Sequence, residues 1–152
     1  MGGADPGGGG TGAGATLTVH ASCVALGGRA LLITGASGAG KSGLALTLMA
    51  FGAGLVADDR TILTAADGAL WADCPATILG RIEARGIGIL AAAPAGRSRL
   101  AAVVDLDRDE TERLPPMREV SYLGHTLPLI LNGRGLSFAA GLLQYLKSMR
   151  SD

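Results

Sequence analysis

The chain has 152 residues, of which 48% are apolar and 17% charged. That is enough apolar material for the core of one domain, and it excludes general disorder. Thirteen basic residues balance thirteen acidic ones, which leaves no electrostatic basis for nucleic acid or an anionic membrane as the main partner.

Residues 1–14 hold eight glycines and neither a basic cluster nor an apolar stretch. They read as a flexible, disordered tail ahead of one domain over 15–152. Leu17, Val19 and the run from Cys23 to Leu26 predict strands, and Gly27-Gly28 predicts a hairpin turn. Ala30 to Ile33 is a short apolar run of the buried-strand type. Leu44 to Ala50 predicts a buried helix closed by Gly52 and Gly54, followed by a strand at Leu55 to Ala57. Asp67-Gly68 between Thr61–Leu63 and Ala69–Trp71 predicts a second hairpin. Gly86 to Leu90 reads as strand or loop, and Leu100 to Leu106 as a strand. The charged stretch Asp107 to Arg113 reads as solvated surface, Asp105 with it, and Pro115-Pro116 breaks the chain. A last strand at Leu127 to Leu131 leads through Gly133-Arg134-Gly135 to a final helix, Leu136 to Met149. Many strands and few helices around one phosphate loop predict an α/β domain with a mixed sheet.

That loop carries the strongest signal. Gly35, Ala36, Ser37, Gly38, Ala39, Gly40, Lys41 and Ser42 match the Walker A pattern in full, after a strand and before a helix. Its glycines let successive backbone N–H groups face phosphate oxygens, and the helix N-terminus adds unpaired donors. Lys41 supplies charge to the terminal phosphates, and the Ser42 hydroxyl can ligate Mg²⁺. Lysine occurs only twice in the chain, at Lys41 and Lys147, so its place in the motif weighs against a chance glycine-rich loop.

Asp58 and Asp59 end an apolar strand, where α/β sheets place ligand sites. One can hold Mg²⁺ while the other takes a proton from an incoming hydroxyl. Glu83 and Arg85, one residue apart, share a face if extended and suit metal and phosphate contact. Arg134, between two glycines, can reach a phosphate from a loop. His20 can approach the phosphate-loop strand through a hairpin, whereas His125 has no such argument. The two cysteines, Cys23 and Cys74, are too few for a disulfide framework and read as reduced thiols. No apolar run reaches the roughly 18–20 residues of a membrane span, so a cytoplasmic protein is the default expectation.

His20, the loop at 35–42, Leu55-Val56-Ala57-Asp58-Asp59 and Ile82-Glu83-Ala84-Arg85-Gly86-Ile87-Gly88-Ile89 occur in that order. The combination resembles the C-terminal catalytic domain of HPr kinase/phosphorylase, over about residues 17–147. The resemblance implies a P-loop domain related to that of phosphoenolpyruvate carboxykinase. It implies ATP- and Mg²⁺-dependent phosphorylation of a serine in the phosphocarrier HPr, with reverse phosphorolysis by inorganic phosphate to pyrophosphate. It further implies a base from the Asp58-Asp59 pair beside His20, and Mg²⁺ among Ser42, Asp59 and Glu83. Arg85 and Arg134 would contact phosphate or the protein substrate, and the assembly would be a hexamer. Of the pair, Asp58 is expected as the base and Asp59 on the metal side. The chain is like the short form, without the separate N-terminal domain of longer members, and Gly43 stands where a glutamate often follows the loop serine.

Two other functions compete. A P-loop small-molecule kinase needs an arginine-rich lid, for which 107–113 offers only Arg108 and Arg113. A nucleotide-sensing interaction module without transfer activity would keep Lys41 and Ser42 but has no need of Asp58, Asp59 and His20 together.

Overall fold

The computed structural model describes residues 14–149, so most of the expected tail lies outside the described residues. Strands β1 (Thr16–Val19), β2 (Ala21–Leu26) and β3 (Arg29–Thr34) precede helix α1 (Lys41–Ala50). Then come β4 (Gly54–Ala57), β5 (Thr61–Ala66), β6 (Ala69–Asp73), a 3-10 turn at Ala76–Ile78, β7 (Arg81–Ala84) and β8 (Gly88–Ala91). β9 (Ser98–Asp109), β10 (Glu119–Tyr122), β11 (His125–Asn132) and α2 (Leu136–Ser148) complete the order.

One nine-stranded sheet runs β1-β5-β6-β9-β3-β2-β4, with β11 joined to β9 and β10 joined to β11. The twelve-residue β9 makes this branching possible. One edge of β9 pairs with β3 over residues 99–105, while the other edge pairs first with β6 at Ser98 and Arg99 and then with β11 from Val103 to Asp109. β3, β9 and β11 are parallel and end on the same side. β2 lies between β3 and β4, antiparallel to both. The strand leading into the phosphate loop and the strand leading into the aspartates therefore end together, and β2 begins beside them.

β3 is buried on both faces, which is why its sequence is an unbroken apolar run rather than an alternating one. Leu31 and Ile33 pack with Ala45, Leu48, Leu142 and Leu146 of the two helices. Leu32 points the other way, against Cys23, Val56, Leu63 and Leu100, where the curled sheet closes on itself. The Gly27-Gly28 and Asp67-Gly68 turns hold positive φ at both central positions, as tight hairpins require.

The main elements follow the expected order, with three differences. The first helix begins at Lys41, not Leu44, so the last two residues of the phosphate motif form its first turn. Residues 86–90 divide into a turn and β8, which pairs with β7 as a separate two-stranded ribbon. β10 was not expected; it pairs with β11 across Leu123-Gly124. Pro128 sits where β11 exchanges β10 for β9 as its partner, the point at which a missing N–H interrupts neither ladder. Among the described residues, no helix is long and apolar enough to cross a membrane.

Leu48 has no solvent exposure and sits where α1 meets the sheet. Leu48→Ala should lower stability by about 2–5 kcal/mol, the range for a buried leucine truncation, measured by urea denaturation.

Candidate active site

The site is assembled at the shared end of β3 and β4. Gly40 adopts a left-handed conformation (φ 102°) as it turns the loop into α1, and no side chain caps the helix. The first-turn N–H groups are thus left for a ligand, and no acidic residue in that turn opposes an anion. Lys41 is buried, its Nζ donating to the carbonyls of Gly35 at 2.8 Å and Ala36 at 3.1 Å. The Ala36 N–H is in turn clasped by both carboxylate oxygens of Asp107, at 3.0 and 3.1 Å. One end of the loop is thereby tied to β9.

Asp58 is buried and accepts three hydrogen bonds. The Ser42 hydroxyl donates to Oδ1 at 2.6 Å, the Ser22 hydroxyl to the same oxygen at 2.8 Å, and the Glu83 backbone N–H to Oδ2 at 3.0 Å. Ser22 is fully buried and also accepts from the Asp59 N–H at 3.2 Å. Asp59 itself has φ 69°, which turns its side chain away from Asp58. Its Oδ1 lies 2.6 Å from His20 Nε2, with both side chains more than half exposed. The antiparallel β2 brings His20 and Ser22 here, since Ala21 pairs with Thr34 at the end of β3.

An open cavity of about 360 Å³ joins these groups, lined by the loop from Ser37 to Gly43 and by Asp59, Glu83 and Arg85. Glu83 reaches it because β7 alternates, turning Ile82 and Ala84 into the core. Arg134 is not part of this cluster. It pairs with Asp109 at 2.8 Å and lines a second cavity on the other flank of the loop. No group of three or more His, Cys, Asp or Glu residues that could hold a metal occurs among the described residues. The oxygen donors in contact are the Ser42 hydroxyl and the Asp58 carboxylate, with Asp59 and Glu83 lining the adjoining cavity. Such a sparse hard-oxygen set fits Mg²⁺, which usually draws on one or two carboxylates together with substrate phosphates.

The charged stretch lies at the surface as expected, with Asp107, Arg108, Asp109, Glu112 and Arg113 exposed, yet several of its carboxylates are also tied to neighbours. Asp107 holds the loop, Asp109 holds Arg134, and Glu110 pairs with Arg118. The Glu112 N–H and the Arg118 guanidinium keep the Glu110 carboxyl below the usual range. Asp105 likewise accepts from the Asp107 N–H. The sequence reading missed Ser22 as well, although two-residue alternation from His20 marks it as a neighbour at the same strand end.

A family model described as the HPr Serine kinase C-terminal domain matches residues 13–96. The chain belongs to this family. An HPr kinase/phosphorylase from Bordetella pertussis is 40% identical over 112 residues, covering 66% of this chain and 36% of that protein. An HPr kinase/phosphorylase from Azoarcus sp. is 38% identical over 144 residues, covering 80% of this chain and 44% of that protein. The chain thus spans less than half the length of these relatives. Among solved structures, the Hpr(Ser) kinase/phosphatase from Coxiella burnetii superposes with a TM-score of 0.73 at 26% identity, covering 88% of this chain and 98% of that one. The mixed α/β fold with its curled sheet is accordingly that of an HPr kinase family domain.

Neither cysteine of this family member enters the site. Both are free; burial raises the Cys23 thiol far above its ordinary value, and burial and then the Asp73 charge raise Cys74. A thiol reagent should modify Cys74 alone in the folded protein, faster as pH rises, and both cysteines after denaturation, read by mass spectrometry.

Proposed function

We propose that this domain transfers the terminal phosphate of Mg·ATP to a serine hydroxyl of HPr. The observation that carries the reading is the Asp59–His20 pair at 2.6 Å, on the rim of the cavity that Lys41 and Ser42 also line. A kinase that acts on a hydroxyl needs a base facing the phosphate site. Asp59 has the exposure to meet a hydroxyl carried by another protein, and His20 orients it. A sensing module would have no use for that pair. A small-molecule kinase is disfavoured because the 107–113 segment is tied down at Asp107, Asp109 and Glu110, so it is a poor lid.

The geometry favours the reverse of the expected division between the aspartates. Both oxygens of Asp58 are occupied and one touches the Ser42 hydroxyl, which suits the metal side. Asp59, held by one contact and open to solvent, suits the base. Ser42 and Asp58, with Glu83 nearby, would hold Mg²⁺, which supplies charge neutralisation between the phosphates. Lys41 would exchange its two carbonyl contacts for phosphate oxygens. Arg85, on the same cavity, would face the transferring phosphoryl group or the acceptor.

In the forward step the serine oxygen bonds to the terminal phosphorus, the bond to ADP breaks, and Asp59 takes the serine proton. In reverse, an oxygen of inorganic phosphate bonds to the phosphoserine phosphorus. The serine oxygen then leaves with the proton returned by Asp59, and pyrophosphate is released. The same anion site serves both directions, so no further catalytic group is required. A cytoplasmic location would follow from a substrate and a nucleotide found there.

Incubation with labelled ATP, Mg²⁺ and purified HPr should place label on an HPr serine; its absence under these conditions would refute the reading. Lys41→Ala should abolish ATP binding in calorimetry with the fold retained, because the backbone donors alone cannot balance several phosphate charges. Asp59→Asn should lower the transfer rate by about 10²–10⁴ with ATP affinity near normal. Asp58→Asn should instead weaken Mg·ATP binding by about 10–100-fold. Equal effects on binding and rate in the two variants would contradict the division of roles.

A further inference from the structure

Asp59 stands in a strained piece of backbone. Its φ is 69°, and the Arg60 N–H donates to the Asp58 carbonyl at 2.8 Å, closing a ring around Asp59 alone. That combination marks a γ-turn of the positive-φ kind, which is rare because an L-residue at its centre is crowded. Strain of this sort persists only where surrounding contacts hold it, and it gathers where a side chain must be aimed. Two hydroxyls flank the turn here, those of Ser22 and Thr61, and both residues are without solvent exposure.

Ser22 Oγ accepts the N–H of Asp59 itself at 3.2 Å. On the far side of the turn, Thr61 Oγ1 donates to the Ala21 carbonyl at 2.9 Å. Thr61 is also paired with Val19 in the β1–β5 ladder. Residues 58–61 therefore lie along residues 19–22, and the two hydroxyls fasten the segments on either side of the Asp59–His20 contact. Ala21 lies between His20 and Ser22, so the Thr61 bond restrains the backbone that carries His20 as well. A buried strand position accepts valine as readily as threonine, with no polar atom to satisfy. The Thr61 hydroxyl thus adds nothing to the packing of β5 that a methyl would not, and what it does add is the tie to Ala21. Both residues are too deeply buried to touch a substrate.

We infer that Ser22 and Thr61 are positioning residues, which hold the Asp58–Asp59–Arg60 turn in its strained form and so aim the Asp59 carboxylate at the acceptor hydroxyl. The inference rests on the kinase reading above and adds the residues that keep its base in place. Without these ties the turn relaxes toward the extended region and Asp59 withdraws from His20. Lys41 and the phosphate loop are anchored elsewhere, through Gly35, Ala36 and Asp107, and stay as they are. The loss therefore falls on transfer and not on nucleotide binding.

The test measures kcat and KM for transfer from Mg·ATP to HPr on the full chain, below the melting temperature of each variant, with ATP affinity from calorimetry. Thr61→Val removes the hydroxyl and keeps the shape. It should lower kcat by about tenfold or more, because a small misplacement of a reacting group is enough for a loss of that order. ATP affinity should stay within about twofold of wild type. Thr61→Ser, which keeps the hydroxyl, should recover kcat to within about threefold of wild type. Wild-type kcat in Thr61→Val, even with a lowered melting temperature, overturns the inference. So does an equal loss of kcat in Thr61→Val and Thr61→Ser. If Thr61→Val does not fold, Ser22→Ala and Ser22→Thr decide by the same reading of kcat: loss in the first with recovery in the second supports the inference, and wild-type kcat in the first overturns it. Absence of transfer by wild type overturns the kinase reading and this inference with it, whereas an active wild type beside an unaffected Thr61→Val overturns this inference alone.

Discussion

The Asp58 carboxylate is the point at which the site is held together. It is buried at the end of β4 and accepts from β2 through Ser22, from α1 through Ser42 and from β7 through the Glu83 N–H. A buried carboxylate without donors would be strongly unfavourable, whereas one with three is satisfied on both oxygens. The bonds also fix geometry. They set the distance from the phosphate loop to the strand that carries Asp59, and they dock the β7–β8 ribbon so that Glu83 and Arg85 reach the cavity. Ser22 acts twice in this arrangement, donating to Asp58 and accepting from the Asp59 N–H, so a single buried hydroxyl relates the two aspartates.

A second constraint acts from the opposite side. Asp107 grips the Ala36 N–H, and Lys41 holds the carbonyls of Gly35 and Ala36, so the start of the loop is fixed before any ligand arrives. Preorganised donors lose little on binding an anion. The lysine is the exception, since its present carbonyl partners are ones it can exchange for phosphate oxygens. The segment after Asp107 continues the same pattern of ties through Asp109 and Glu110, which leaves the mouth of the site open rather than covered. An open mouth suits an acceptor hydroxyl that arrives on the surface of a folded protein, because such a hydroxyl cannot enter a closed pocket.

Much of this was legible in the sequence because local rules and the fold agree. The loop motif sits between strand and helix as its chemistry demands, and Gly27-Gly28 and Asp67-Gly68 form the turns their residues favour. The approach of His20 to the phosphate-loop strand also follows from the Gly27-Gly28 hairpin, whose register pairs Ala21 with Thr34. What was not legible depends on contacts between distant elements. Asp107 and Asp109 look like solvated surface charge because their partners, Ala36 and Arg134, are 71 and 25 residues away. The different surroundings of Asp58 and Asp59 come from the positive φ at Asp59, which no neighbouring residue type announces. β10 escaped notice because its four residues alternate only weakly in burial and its turn places a leucine at positive φ.

The topology explains why so few residues suffice. A purely parallel sheet would bring only strand C-termini to this edge, and each would contribute one loop. Here the antiparallel β2 between β3 and β4 adds a strand N-terminus to the same edge, and with it His20 and Ser22. Asp59 and His20 therefore sit just beyond the ends of two strands, β4 and β2, that the sheet holds in register. Sheet pairing restrains the relative position of such groups more tightly than a loop can. The Asp59–His20 end of this arrangement is open to solvent, while Asp58 and Ser22 anchor its other end in the buried interior.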